Sequence, residues 1–177
     1  MKKLRLLFIV FFILPFFTTF AQIEGSEPNL ILQIASKYLD TPYVAHTLEY
    51  TKEERLIQNK KEVDCTTFVE YVLSEALALS DSTTHLSEKE YLTKIRYRNG
   101  VIDGYPSRLH YITEWIDEGV RNNFITDITA ELNVDSMYVA LSYMSKHPQY
   151  YKHLANSKRN RQAVFEIEKK LSGRIVK

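Results

Sequence analysis

The chain has a single cysteine, Cys65, among 177 residues, and one cysteine cannot form an internal disulfide. None of its five histidines stands at a recognised metal-ligand spacing from another histidine or an acidic residue, so we expect no metal and no other cofactor. The chain also lacks internal repeats and low-complexity segments. The lone thiol is therefore the first candidate for chemistry.

Long apolar runs are absent except for twelve residues, 6–17, which follow a basic N-terminus. The run is shorter than the roughly 18 to 20 residues that span a bilayer, which favours a cleaved export signal over a permanent anchor. Cleavage is predicted after Ala21, where no cysteine could carry a lipid. We expect a signal peptide at 1–21, a linker at 22–28 and one domain at 29–177, exported to the periplasm or extracellular space without a permanent membrane span.

Neither sign of charge dominates the sequence. Loss of the three basic residues of the signal would leave 20 Lys and Arg against 22 Asp and Glu, a formal charge of −2, which gives no indication of nucleic acid binding. The twelve tyrosines are many for this length. They form either ordinary edges of the core or the walls of a groove for a polar polymer.

The spacing of apolar residues predicts a mostly helical chain. Helices are expected at 30–39, 65–79, 88–99, 106–116, 136–145 and 159–171, and short extended segments at 55–59, 124–128 and 174–176. Ser87 and Glu90 have the capping-box spacing, and Gly173 is the predicted stop of the last helix.

Cys65 lies where a polar turn gives way to an apolar helical repeat, so its sulfur should sit at a helix N-terminus, at the edge of the core. The N–H groups of such a terminus favour a thiolate and could bind a developing oxyanion. The alternative is an inert structural cysteine. Among the histidines, only His110 lies in a crowded polar-aromatic segment, 105–111, where it either partners the sulfur or is an ordinary hydrogen-bonded residue.

Four carboxylates offer a different chemistry. Glycosidases use two of them across the scissile bond, but the same residues equally well cover solvated helix faces. The candidates are Glu70, Glu75, Glu114 and Asp117.

Four segments, at 41–49, 63–70, 95–100 and 107–116, carry a resemblance to a known family. The most specific parts are Asp64-Cys65-Thr66-Thr67-Phe68-Val69-Glu70 and Arg108-Leu109-His110-Tyr111. Through these segments the chain resembles the N-acetylmuramoyl-L-alanine amidase-like family, exported bacterial proteins related to the papain-like NlpC cysteine peptidases. The resemblance covers nearly all of residues 22–177.

The resemblance implies an α+β, papain-like fold of NlpC type, of which mainly the helical N-terminal part is expected here. It implies that Cys65 attacks an amide carbonyl of cell-wall peptide, with peptidoglycan or a muropeptide as partner. The substrate groove is expected to include Tyr43, Arg108, His110 and Tyr111.

The general base is the missing element. In the related papain-like enzymes it is a histidine just after a Gly-Asp turn on a later strand, whereas this sequence has no Gly-Asp and no histidine after His153. We therefore expect a catalytically incomplete form, either a fragment or a chain in which another histidine has taken the role. The first hypothesis is an exported cysteine amidase or peptidase, the second a non-catalytic peptidoglycan-binding remnant, and the third a carboxylate glycosidase.

Overall fold

The computed structural model describes residues 29–129, 131–132, 135–173 and 175–176. The predicted signal peptide (1–21) and linker (22–28) lie outside the described residues. The helices are α1 (Leu30–Ser36), α2 (Cys65–Ser80), α3 (Glu88–Arg96), α4 (Ile112–Arg121), α5 (Tyr143–Lys146), α6 (Lys152–Ala155) and α7 (Lys158–Leu171), and the strands are β1 (Met137–Tyr138) and β2 (Ile175–Val176). Single 3-10 turns lie at Arg98–Gly100, Tyr105–Ser107 and Pro148–Tyr150. No helix in the described part of the chain is long and apolar enough to cross a membrane.

Helix α2 is the centre of the first half, where it packs against both α1 and α3. Val72 and Ala76 meet Ile34 of α1 on one side, while Tyr71 meets Leu92 of α3 on the other. Complete burial of an apolar side chain of this size stabilises a fold by about 1.5 to 3 kcal/mol. The packing therefore holds α2 firmly along its inner face.

A buried ion pair also joins α2 to α3. Nε and Nη2 of Arg96 lie 2.8 and 2.7 Å from Oε2 of Glu70, and Arg96 and Glu70 are only 1% and 3% exposed. The guanidinium also lies over the ring of Tyr71 and donates to the carbonyl of Ile57. Glu70 is thus a structural residue rather than part of a solvated face.

A second core holds the other half of the chain together. It contains Tyr105, Met144, Leu154 and Val164, which join the turn at Tyr105–Ser107 to α5, α6 and α7. The strand predicted at the end of the sequence is present as β2, which pairs antiparallel with β1.

The helix predicted from residue 106 is wrong at its start. Residues 108–111 are extended, and α4 begins only at Ile112. The cause is a tertiary hydrogen bond, because the N–H of Leu109 donates to the carbonyl of Arg96 at 2.8 Å, and Arg108 forms a bridge with Tyr97. The segment is therefore tied to the end of α3 instead of continuing a helix.

Three other local predictions also fail. Residues 55–59 and 124–128 are not strands, and 136–145 is helical only over α5. Around 55–59 the backbone is satisfied by side chains, since the N–H of Asn59 donates to the Tyr71 hydroxyl at 2.9 Å and the Arg96 guanidinium donates to the carbonyl of Ile57. In 136–145, pairing with β2 overrides the helical pattern.

Candidate active site

A capping box fixes the first turn of α2. Oδ1 of Asp64 accepts the N–H of Thr67 at 2.8 Å, and the Thr67 hydroxyl accepts the N–H of Asp64 at 2.9 Å. Such reciprocal bonds are a strong helix start. They place Cys65 at the first residue of the helix, as the sequence predicted.

The side chain of Cys65 points away from the core. Cys65 is exposed, and Val69, one turn further along, is 45% exposed. The prediction that the sulfur faces the edge of the core is therefore wrong. Positions 67, 70 and 71 form the buried face of this turn instead, so the apolar pattern that includes Cys65 and Val69 belongs to a surface.

That surface is one wall of a cavity of about 300 Å³. The opposite wall comes from the extended segment before α4 and from α4 itself. The lining residues are Cys65, Thr66, Val69, Leu109, His110, Ile112 and Trp115. The cavity therefore combines one thiol and one imidazole with mostly apolar walls.

Several hydrogen-bond donors at this cavity are unpartnered. No described residue accepts the backbone N–H of Thr66, since the Asp64 carboxylate binds that of Thr67, whereas the backbone N–H of Cys65 faces the Tyr43 hydroxyl. The indole N–H of Trp115 likewise has no acceptor among the described residues. Free N–H groups at a helix N-terminus suit an anionic oxygen, so this turn can stabilise the tetrahedral intermediate of an acyl transfer.

Tyr43 lies beside the thiol. A parallel bridge between Tyr43 and Val63 holds the loop against the start of α2, with Val44 N–H donating to the Val63 carbonyl at 2.9 Å. The Cys65 sulfur is the main cause that raises the pKa of the Tyr43 hydroxyl. Since Tyr43 is 69% exposed, its hydroxyl is open both to the sulfur and to a ligand.

His110 is held in one protonation state. Its Nε2 lies 3.0 Å from the carbonyl of Tyr105, and a carbonyl can only accept, so Nε2 carries the proton and Nδ1 carries the lone pair. The ring packs 4.5 Å from that of Tyr105. Burial, and then the charge of Arg108, lower the pKa of His110 to about 3. The imidazole is therefore neutral at physiological pH.

A neutral imidazole of this kind is a weak base. An ordinary thiol, with a pKa of about 8.5, would transfer its proton to such a ring with an equilibrium constant on the order of 10⁻⁵. His110 also cannot donate to an oxyanion while Nε2–H is bound to Tyr105. What remains is Nδ1, which has no partner among the described residues and can accept one hydrogen bond.

Arg108 does not line the cavity. Its guanidinium forms three bonds with the carboxylate of Glu54, including Nη2 to Oε2 at 2.7 Å, and a fourth with Glu49 at 2.8 Å. The side chain of Glu54 is only 1% exposed. The Tyr97 hydroxyl donates to the same carboxylate at 2.8 Å. This Arg108 cluster, made of Arg108, Glu49, Glu54 and Tyr97, anchors the loop before α2 to the extended segment.

Tyr111 is also directed elsewhere. Its hydroxyl donates to Oε1 of Glu168 at 2.5 Å and accepts the N–H of Met144 at 3.3 Å. In an extended segment, successive side chains point to opposite sides. The hydroxyl of Tyr111 therefore contacts α5, through Met144, and α7, through Glu168. The structure thus brings Cys65, Tyr43 and His110 together, and it engages the polar ends of Arg108 and Tyr111 outside the cavity.

The carboxylates considered for a glycosidase do not meet in this cavity. Glu70 is paired with Arg96, Glu75 with Lys37 and Lys60, and Glu114 with Arg98. Asp117 does not line the cavity either. Glu70, Glu75 and Glu114 act as ion-pair partners that connect elements, so that none of the four candidate carboxylates lines the cavity as an acid or base for a bound sugar.

Among the described residues, no three His, Cys, Asp or Glu side chains are arranged to hold a metal ion. The sequence did not identify Trp115 and Ile112 as lining residues, because apolar residues at helical spacing predict a buried face. In the structure, by contrast, Ile112 is 67% exposed.

One family model matches most of the chain. It is described as N-acetylmuramoyl-L-alanine amidase-like, and it matches residues 33–175. An N-acetylmuramoyl-L-alanine amidase of Bacteroides uniformis ATCC 8492 is a solved structure with 52% identity and a TM-score of 0.77, and the match covers 83% of this chain and 62% of that one. None of the curated proteins compared with the chain matches it significantly.

A second solved relative carries a different name. It comes from Bacteroides fragilis, is provisionally named a xylanase, and is 46% identical with a TM-score of 0.77 over 81% of this chain and 64% of that one. The chain thus spans less than two thirds of the length of both solved relatives. The shared fold of these relatives agrees with the helix-rich architecture described above.

Proposed function

The chain belongs to the N-acetylmuramoyl-L-alanine amidase-like family, and from that premise we propose that it serves the hydrolysis of an amide bond in peptidoglycan, with Cys65 as nucleophile in a papain-like, NlpC-type site. The observation that carries the proposal is the position of Cys65. It is the exposed first residue of a capped helix, it lines a cavity, and it lies beside the unpartnered N–H of Thr66.

The proposed reaction has two steps. The Cys65 thiolate attacks the amide carbonyl, the C–N bond breaks, and the leaving amine takes up a proton. Water then attacks the resulting thioester, releasing a carboxylate and restoring the thiol. The N–H groups of Cys65 and Thr66 are the oxyanion donors in both steps, a contribution that is typically worth 10²- to 10³-fold per donor.

The remaining cavity residues bind and orient substrate in this proposal. Nδ1 of His110 accepts an N–H of the substrate, the exposed Tyr43 hydroxyl contacts the group next to the scissile bond, and the indole of Trp115 forms an apolar wall. Arg108 and Tyr111 do not contact the substrate in this proposal. The ion pair of Arg108 and the hydrogen bonds of Tyr111 hold the segment that carries His110 in place.

A second candidate function has an observation in its favour. The lining residues provide no proton acceptor stronger than the neutral His110, and loss of general base help reduces rates by about 10²- to 10⁴-fold. A non-catalytic peptidoglycan-binding form is therefore the alternative.

We also propose that the protein works outside the cytoplasm, on the basis of the predicted signal at 1–21. Mass analysis of mature protein that still begins at Met1 would reject this.

The substitution Cys65→Ser tests the function. Hydrolysis of purified muropeptides should fall by at least about 10³-fold, because serine supplies no thiolate at neutral pH. The assay should compare this chain, its Cys65→Ser variant and the solved Bacteroides uniformis relative as a positive control. Thr66→Ser is a matched control in the same turn and should retain turnover within about threefold.

The outcomes separate the two candidates. Turnover by this chain that is lost in Cys65→Ser supports the amidase. Retained turnover in Cys65→Ser contradicts the nucleophile. Absence of turnover, combined with sedimentation of both forms with peptidoglycan, supports the binding protein.

A further inference from the structure

A groove of about 740 Å³ lies between α5 and α7, and it shares no lining residue with the Cys65 cavity. Its lining includes four cations, Lys146, Lys158, Arg161 and Lys169, against the single carboxylate of Glu168. None of the four cations forms an ion pair with an acidic side chain of the described residues. The groove is therefore a local excess of positive charge in a chain whose formal charge is +1.

Three of the four cations, Lys158, Arg161 and Lys169, follow one face of α7. Positions 158, 161, 165 and 169 recur at helical spacing, and the third of them is Phe165, which is 48% exposed. Lys158 and Arg161 lie in the first turn, where the helix dipole disfavours positive charge. A helix that only had to fold would be more stable with acidic residues there, so the arrangement is better explained by an anionic ligand.

One of these cations is held in position. Nη1 of Arg161 donates to the carbonyls of Leu154 and Ala155, each at 3.0 Å. Its Nε and Nη2 have no acceptor among the described residues. Because the guanidinium is already ordered, a carboxylate could bind it with less loss of side-chain entropy than an unrestrained arginine would require.

The floor of the groove contains an acceptor without a donor. Glu168 is 2% exposed, and its Oε1 accepts from the Tyr111 hydroxyl and from the N–H of Ser145. Its Oε2 is buried and has no partner among the described residues. A buried carboxylate oxygen is normally hydrogen-bonded, so this atom can accept an N–H or O–H that reaches it when the neighbouring side chains of the groove shift.

We propose that this groove is a second binding site, for acidic peptide, and that it holds a stem peptide of peptidoglycan away from the Cys65 cavity. The proposal rests on the function proposed above. A peptide supplies carboxylates for the cations, N–H groups for Glu168 and apolar surface for Phe165. A phosphate polymer would offer acceptors alone, and a flat anionic membrane would fit a concave groove with one exposed apolar ring poorly.

The test measures binding in the Cys65→Ser background, so that it does not depend on turnover. The probe is a fluorescein-labelled peptide of alternating alanine and glutamate, with an alanine and glutamine peptide for comparison. The groove variant is Lys158→Glu with Lys169→Glu. The matched control is Lys52→Glu with Lys89→Glu, which makes the same change of net charge at exposed positions outside the groove.

We expect the groove variant to bind the glutamate peptide at least tenfold more weakly than the parent, and the control to differ by less than threefold. Affinity of the parent should fall in 0.5 M NaCl, because salt screens exposed charges. Equal losses in both variants, or equal binding of the two peptides, would overturn the proposal. So would a preference for inorganic polyphosphate or for vesicles of anionic lipid. Melting temperatures of both variants within a few degrees of the parent show that folding is intact.

Discussion

The Cys65 cavity and the Arg108 cluster lie on two sides of one extended segment, and they treat polar groups in opposite ways. At the cavity, the N–H of Thr66 and Nδ1 of His110 have no partner among the described residues. In the cluster, Arg108 forms ion pairs with both Glu49 and Glu54. Free donors and acceptors mark a place that can still bind a ligand, whereas ion pairs between largely buried side chains mark a place that holds the fold.

The difference shows that residues of one motif, the segment 105–111, have different roles. Arg108 and His110 are two positions apart and share the same crowded segment. Only the contacts made by each side chain distinguish the anchor from the binding residue. Residue type alone would assign the arginine to an acidic substrate, although its charge is already neutralised by glutamates.

The largest expected effect is on the cluster. Arg108→Met leaves the nearly buried Glu54 carboxylate without its cation, and removal of one partner of a buried pair typically costs about 3 to 5 kcal/mol. Urea unfolding would measure this loss. Lys37→Met is the matched control, since its pair with Glu75 is largely exposed on the lysine side and should contribute at most about 1 kcal/mol. A loss below 1 kcal/mol for Arg108→Met would show that the cluster is not structural.

The second prediction concerns pH and His110. Its pKa is about 3 in the folded chain and about 6.5 when unfolded, so the unfolded state binds a proton first as pH falls. Stability should therefore be complete above pH 6.5 and decline between pH 6.5 and 3. The decline by pH 5 is at most about 2 kcal/mol, because pH 5 lies about 1.5 units below the unfolded pKa and each unit corresponds to about 1.4 kcal/mol.

His110→Gln should remove this part of the decline, which comparison of urea unfolding at pH 7.5 and pH 5 would reveal. His147→Gln is the control, because that residue lies outside the cavity. An unchanged pH dependence in His110→Gln would contradict the neutral assignment and reopen a role as base.

The smallest expected effect is at Tyr43. Its hydroxyl can donate to the Cys65 thiolate, so Tyr43→Phe should slow alkylation of Cys65 by iodoacetamide near pH 6 by about two- to fivefold. Stability should not change, since the ring is mostly exposed. Tyr50→Phe, at another exposed tyrosine, is the control. Equal alkylation rates in the parent and Tyr43→Phe would separate the tyrosine from the thiol.

Local sequence signals predicted the elements that depend on local interactions. The start of α2 follows from the capping residues Asp64 and Thr67, the start of α3 from Ser87 and Glu90, and α7 from its apolar spacing. The failures involve distant partners. The N–H of Leu109 donates to the carbonyl of Arg96, and β1 pairs with β2. Neither contact can be predicted from the local spacing of apolar residues.

The site shows the same limit. The sequence correctly placed Cys65 at a helix start, because capping is local, but it could not decide which way the sulfur points. Apolar residues at 65, 69 and 112 predict burial by pattern, whereas the structure uses them for the wall of a cavity. Substrate roles for Tyr43 and His110 stay predictions, and the contacts of Arg108 and Tyr111 favour support of the segment.

The unpartnered first turn of α2 also provides a way to observe occupancy. Amide hydrogens without an acceptor exchange with solvent deuterium rapidly, whereas the N–H of Thr67, bound to Asp64, and those further into the helix exchange slowly. The amide of Thr66 should therefore exchange quickly in the empty protein. An oxygen atom bound to this N–H would slow its exchange, so that a mass shift in one short peptide would report each molecule that enters the cavity.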